Sequence, residues 1–254
     1  MSERDELTSA AAVSDVRIAL VTGANKGIGY EIARGLGQTG ATVLVGARDV
    51  ERGAAAAEKL VADGLVAVPL QLDVTDPLSV IAAAAWVERA YGRLDILVNN
   101  AGVLLERGQA ASRTPVELLE RTYATNVYGV VAVTNALLPL LREAPAARIV
   151  NVSSRLGSMA LTSDPDGPYP EALMLAYNSS KGALNSITIT YANELRQTPI
   201  KVNAADPGYC ATDMNGHEGP RTAAQGAIAA VRLATLPADG PTAGFFDDEG
   251  PLPW

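Results

Sequence analysis

Apolar residues in this chain follow two alternating rhythms. Short, nearly uninterrupted runs rich in β-branched residues occupy 17–23 (RIALVTG), 41–48 (ATVLVGAR), 65–74 (LVAVPLQLDV), 94–102 (LDILVNNAG), 147–154 (ARIVNVSS) and 200–208 (IKVNAADPG). Each ends in turn-forming or small polar residues, the signature of a buried strand. Between them, 28–39, 50–63, 77–91, 114–143, 174–197 and 222–236 place apolar residues three or four apart, which is helical spacing. Asp49, followed by Val50 and Glu51, reads as a helix N-cap with an acid in the first turn. Strand–helix alternation of this kind predicts an α/β fold, a doubly wound parallel sheet with helices on both faces. AGFFDD near the end adds a short edge strand. No repeat, low-complexity tract or linker divides the chain, so 17–254 reads as one domain preceded by a flexible extension at 1–16.

Composition narrows the function. At 254 residues and 48% hydrophobic content the chain can bury a substantial core. A net charge of −8 argues against a general affinity for nucleic acid or anionic membrane. Cys210 and His217 are single instances of their types, which leaves no internal disulfide and no Cys/His zinc site. No acidic loop has the spacing of a divalent-cation site, so no metal is expected. The opening MSERDELTSAAAVSD lacks the apolar stretch of a secretory signal. No apolar run reads as long enough to span a bilayer. The expectation is a reducing, cytoplasmic setting.

The first strand–helix turn points to a ligand. In RIALVTGANKGIGYEIARGLG, Gly23, Gly27 and Gly29 lie between strand and helix, where glycine lets backbone approach a phosphate and the helix end offers free N–H groups. Placed after the first strand of an alternating pattern, this is a dinucleotide-binding signal. The second strand lacks the terminal acid that would hold a ribose 2′-hydroxyl and ends instead in Arg48. Arg48, Arg52 one helical turn on, and Lys26 in the glycine loop could together hold a 2′-phosphate, which favours NADP(H). The alternative is that the two arginines are ordinary solvated charges.

Five motifs in order carry a family resemblance: TGANKGIG, NNAG at 99–102, VNVSS at 150–154, YNSSK at 177–181 and DPG at 206–208. The set resembles the short-chain dehydrogenase/reductase family over residues 17–248, and it implies a Rossmann-type fold. NKGIG, GARDVERG, PGYCATDM and the closing Trp254 resemble the carbonyl reductase branch, whose members reduce aldehydes and ketones with NADPH. The resemblance implies a cofactor site formed by Gly23, Asn25, Lys26, Gly27, Ile28 and Gly29, with Asp73 and Val74 at the adenine. Asn100 and Gly102 would shape its floor and support the central strand. Pro207, Gly208, Cys210 and Thr212 would meet the nicotinamide. Cys210 stands where the family usually has valine and reads as a packed small hydrophobe.

Tyr177 and Lys181 are four apart on one helix face. A phenol with pKa about 10 needs about 4 kcal/mol to approach neutrality. An ammonium about 4 Å away at an effective dielectric near 20 supplies roughly that. Lys181 is therefore expected to tune Tyr177 for acid–base work, and the resemblance adds a bond from Lys181 to the nicotinamide ribose. Ser154 matches the family serine that holds the substrate oxygen, with Ser153 the second choice. Asn126, an unfavourable residue in a helix interior, matches an asparagine on a water-mediated proton path to Lys181; a purely structural amide tie is the alternative. The excess of residues at 155–176 over the family norm reads as a turn-rich insertion on the substrate side. Leu156, Met159, Leu161, Met174, Tyr209 and Met214 are expected pocket residues, His217 a solvated lid residue, and Trp86, Tyr123 and Tyr128 helix packing. The sequence thus predicts NADPH-dependent reduction of a small carbonyl substrate. An NAD-linked alcohol dehydrogenase and a non-catalytic NADP(H) sensor stay open as alternatives, as does a homo-oligomer.

Overall fold

Parallel strands covered on both faces must be apolar on both, and the central strands of this chain are. β1 (Ile18–Thr22), β2 (Thr42–Ala47), β4 (Ile96–Asn99), β5 (Arg148–Val152) and β6 (Lys201–Ala205) are buried along nearly their whole lengths. β3 (Ala67–Gln71) contains Pro69, which has no N–H to donate, and it accordingly lies at the sheet edge. β7 (Phe245–Phe246) pairs parallel to β6, and β8 (Pro251–Leu252) closes the other edge antiparallel to β7. The spatial order is β3-β2-β1-β4-β5-β6-β7-β8. The computed structural model describes residues 16–106, 108–169 and 171–254; apart from Val16, the expected extension lies outside the described residues.

Helices fill both faces, because alternate strand residues point to opposite sides. Leu20, Leu44, Leu97, Ile149 and Val202 pack against α3 (Pro77–Tyr91), α5 (Gly129–Arg142) and α7 (Leu175–Glu194). Val21, Val43, Val98 and Val150 pack against α1 (Gly27–Gln38), α2 (Val50–Ala62) and α8 (Ala223–Ala234). Asp49 caps α2 as expected, accepting from the Arg52 N–H at 3.0 Å. The chain winds outward in both directions from the neighbouring strands β1 and β4, and such a switch point leaves a crevice beyond the carboxyl ends of the strands.

Four expectations change. The helix at 114–143 is α4 (Val116–Tyr123), a π-helical turn (Ala124–Tyr128) and α5 in succession. Its continuous 28 residues, Val116–Glu143, are long and apolar enough to cross a bilayer, contrary to the sequence reading; half of its most apolar stretch is buried, as in a core helix. The insertion before Tyr177 contains a short helix, α6 (Met159–Thr162), besides its turns. Tyr128 is 63% exposed rather than packed, with its ring edge-on to that of Tyr123.

Candidate active site

Gly23 and Gly27 take positive φ, 65° and 58°, which turns the chain sharply from β1 into α1. At Gly29 a Cβ would lie 2.4 Å from Asn100 Nδ2 and 2.5 Å from the Gly23 carbonyl, so only glycine allows this contact. Lys26 occupies the N-cap position of α1 without capping it, so no side chain covers the first-turn N–H groups. That bare, partially positive helix end fits the pyrophosphate of a dinucleotide. Asn25, Lys26 and Gly27 line a cavity of about 460 Å³ between α1 and α2, with Tyr30, Arg52 and Lys59. Arg48 is not among its lining residues, and Lys59, which the sequence reading missed, is. Lys26 also differs from expectation, because its Nζ is ion-paired with Asp213 across the crevice. Arg52 pairs loosely with Asp49 at 3.5 Å.

The floor is stitched by amides. Asn100 Nδ2 donates to the carbonyls of Thr22 (2.9 Å) and Gly23 (3.3 Å), which ties the end of β4 to the glycine turn. The central strand is also held by Asn99, donating to Asn151 Oδ1 at 2.9 Å and Thr134 Oγ1 at 3.1 Å. Asp73 Oδ1 accepts from the N–H and the hydroxyl of Thr75 and shapes a turn. Val74 lies directly against Gly129 of α5. Gly102 stands beside both Asn126 Oδ1 and Lys181 Nζ, at 3.5 and 3.7 Å from where its Cβ would be.

Tyr177 and Lys181 do meet on one face of α7, but burial dominates their chemistry. Lys181 Nζ donates to the Val152 carbonyl at 2.8 Å and lies 5.6 Å from the Tyr177 ring centroid. Burial pushes the amine down to about 8, with Asp206 acting in the opposite direction. The phenol rises to about 12 through burial first and then the charge of Asp206, while a hydrogen bond with Ser154 pulls it back. The expectation that Lys181 brings the phenol toward neutrality is therefore corrected: loss of water and the Asp206 charge both push the phenol up, and Ser154 alone pulls it back. Ser154 also accepts the Leu156 N–H at 3.2 Å, capping the 3₁₀ turn Arg155–Gly157. A Cβ on Gly157 would sit 2.5 Å from the Lys181 carbonyl carbon, so glycine lets this turn press against α7. Ser153 faces away and bonds Asn185.

Asn126 sits in the π-helical turn, fully buried. Its Oδ1 accepts the Val103 N–H at 2.8 Å, and its Nδ2 donates to the Val103 carbonyl and to Ser180 Oγ, both at 3.0 Å. One amide proton thus ties the π turn to the loop at Val103, and the other ties it to α7 at Ser180. π turns recur where a helix must aim one side chain out of register.

Asp206 and Arg155 escaped the sequence reading. The Arg155 N–H reaches Asp206 Oδ1 at 3.0 Å, and its guanidinium reaches Asp206 Oδ2 at 2.6 Å, Asp247 at 3.1 Å and the Tyr169 hydroxyl at 3.3 Å. The DPG motif displayed the acid, but not its partner. Beyond Ser154 and Tyr177 opens a cavity of about 550 Å³. Leu104, Leu156, Met174, Tyr209 and Met214 give it an apolar lining, and Pro207, Gly208, Cys210 and Thr212 form its lid side. Met159 and Leu161, expected there, are not in its wall, and Met159 is 69% exposed on α6. Burial raises the Cys210 thiol, whose Sγ donates to the Pro207 carbonyl, so it packs rather than reacts. His217 bonds Asp213 at 2.9 Å on the exposed lid. Among the described residues no cluster of three or more His, Cys, Asp or Glu could hold a metal.

The fold and the serine–tyrosine–lysine crevice define a dinucleotide-dependent oxidoreductase of the Rossmann class. The chain belongs to the short chain dehydrogenase family, whose model matches residues 17–223. Salutaridine reductase of Papaver bracteatum is 35% identical, over 92% of this chain and 95% of its own. Carbonyl reductase [NADPH] 1 of Sus scrofa is 35% identical over 95% of each chain. The NADPH-bound carbonyl reductase from chicken fatty liver superposes with a TM-score of 0.81 at 30% identity, covering 94% of this chain and 99% of its own.

Proposed function

We propose that this chain is an NADPH-dependent reductase of a ketone or aldehyde, with Tyr177 as the proton donor. The observation that carries the reading is that Ser154 and Tyr177 share the wall of one cavity with Ile28 of the glycine turn, while Lys181 stands one turn from Tyr177 on α7. When bound, the coenzyme supplies the hydride. Ser154 holds the substrate oxygen beside the Tyr177 hydroxyl. The phenol then releases its proton as negative charge grows on that oxygen. A phenol held near 12 keeps its proton at neutral pH and still gives it up to an alkoxide, which is far more basic. Lys181 places a positive field beneath the developing phenolate. Asn126 positions the loop at Val103.

NADPH is preferred to NADH on the chemistry of the cation set: Arg52, Lys26 and Lys59 share one cavity, and Arg48 directly follows β2 in the chain. The relatives named for NADPH reinforce that preference. Buried, single Cys210 is compatible with a reducing, cytoplasmic setting. The test is to mix the protein with NADPH or NADH and a panel of small apolar ketones and aldehydes, following coenzyme absorbance. NADPH consumption with at least one carbonyl is expected, with Arg48→Ala and Arg52→Ala narrowing the preference over NADH. Coenzyme binding without consumption across the panel would favour a sensor instead.

A further inference from the structure

Tyr177 occupies an insecure place. α7 begins at Leu175, so the tyrosine is its third residue, in the turn whose N–H groups have no intrahelical acceptor. The N-cap residue, Met174, contributes no side-chain bond. Two N–H groups there nevertheless find partners far away in sequence. Glu106, in the segment after β4, is only 5% exposed. Its Oε1 accepts the Ala176 N–H at 3.1 Å and its Oε2 accepts the Tyr177 N–H at 2.8 Å. Thr114 steadies the same carboxylate, donating its hydroxyl at 3.4 Å.

We propose that Glu106 is a positioning residue for the reaction, a remote cap that fixes the first turn of α7 and so aims the Tyr177 hydroxyl. The inference rests on the reading of Tyr177 as proton donor. A carboxylate at this helix end accepts two hydrogen bonds and is favoured by the helix dipole. A neutral N-cap side chain would reach one N–H and would be local. Glu106 instead joins two parts of the site. Val103 of the same segment is clamped by Asn126, and Leu104 lines the substrate cavity. One strap therefore runs from the π turn, along the cavity wall, to the backbone of Tyr177. A substrate pressing on Leu104 is felt at the proton donor.

Catalytic geometry is unforgiving: displacement by about 1 Å can cost about 100-fold in rate. Glu106→Gln keeps the size of the side chain but loses the charge and one acceptor. In the NADPH-loaded protein, amide exchange over 174–178 should accelerate. The kcat for carbonyl reduction should fall about 10-fold, with NADPH affinity within about twofold of wild type because the glycine turn is untouched. Unchanged exchange at Tyr177, or a loss shared equally by kcat and NADPH binding, would overturn the proposal. If Glu106→Gln does not fold, Glu106→Asp, which keeps the charge but is one methylene short, is read by the same criteria. Tyr177→Phe run alongside separates the two ideas. Turnover retained in Tyr177→Phe defeats the proton-donor reading. Turnover lost there but intact in Glu106→Gln defeats only the cap.

Discussion

Tyr177 and Lys181 share a turn of α7 and give up water together, which sets the pH behaviour of the site. The Lys181 amine, held down to about 8, is charged below that pH and neutral above it. The kcat/KM for NADPH is therefore expected to fall as pH rises through about 8. Tyr177, near 12, adds no limb in the working range. A profile flat to pH 9.5 would contradict this assignment. The same shift predicts a stability effect. An unfolded lysine near 10.5 binds its proton more readily than the folded one, so stability rises with pH between about 8 and 10.5. Below pH 8 the buried charge costs on the order of 3 kcal/mol, less about 1 kcal/mol for the bond to Val152. Lys181→Met should accordingly melt above wild type at pH 7, with the gap closing toward pH 10.5, while catalysis is lost.

Elements, rather than single side chains, deliver the coenzyme crevice. The turn from β1 into α1 works because α1 comes within contact of Asn100, which leaves no room for a Cβ at Gly29. Gly29→Ala should weaken NADPH binding at least tenfold and destabilise the fold by about 1–3 kcal/mol, read by titration and thermal melting. Across the crevice, Lys26 of the glycine loop is engaged by Asp213 of the lid. Asp213 then competes with a 2′-phosphate for that cation, and Asp213→Asn should tighten NADPH about threefold without changing NADH, the modest effect of an exposed pair. Equal gains for both coenzymes would contradict the competition. Sequence could not foresee this pairing, because 187 positions separate Lys26 from Asp213.

The whole molecule divides labour between the two ends of its sheet. Chemistry gathers at the carboxyl ends of the strands, while the opposite end is anchored by buried Arg148 at the start of β5. Its guanidinium donates to the carbonyls of Ala146, Ala147, Pro199, Leu236 and Pro237. Arg148→Met leaves those acceptors unpartnered and should cost about 2–4 kcal/mol, lowering the melting temperature while kcat at low temperature stays near wild type. The strand–helix alternation was legible because hydrophobic periodicity is local: six strands and their helices fall within a few residues of the patterned runs, and the glycine turn, Ser154, Tyr177 and Lys181 were readable from their motifs. β8 was hidden by PLPW, whose prolines suit only an edge. The π turn leaves no mark on a helical pattern. Glu106, in LLERG, belongs to no motif, and its partners lie 70 and 71 residues away. The phenol pKa was misjudged because spacing shows who is near, not how much water is lost.

One comparison tests the central claim most directly: turnover and NADPH binding in wild type and in Tyr177→Phe, with the same carbonyl substrate. The account predicts that the variant folds, binds NADPH as wild type does, and loses about 100-fold or more of its turnover, the share general-acid catalysis commonly supplies. Wild-type turnover without the hydroxyl would contradict it.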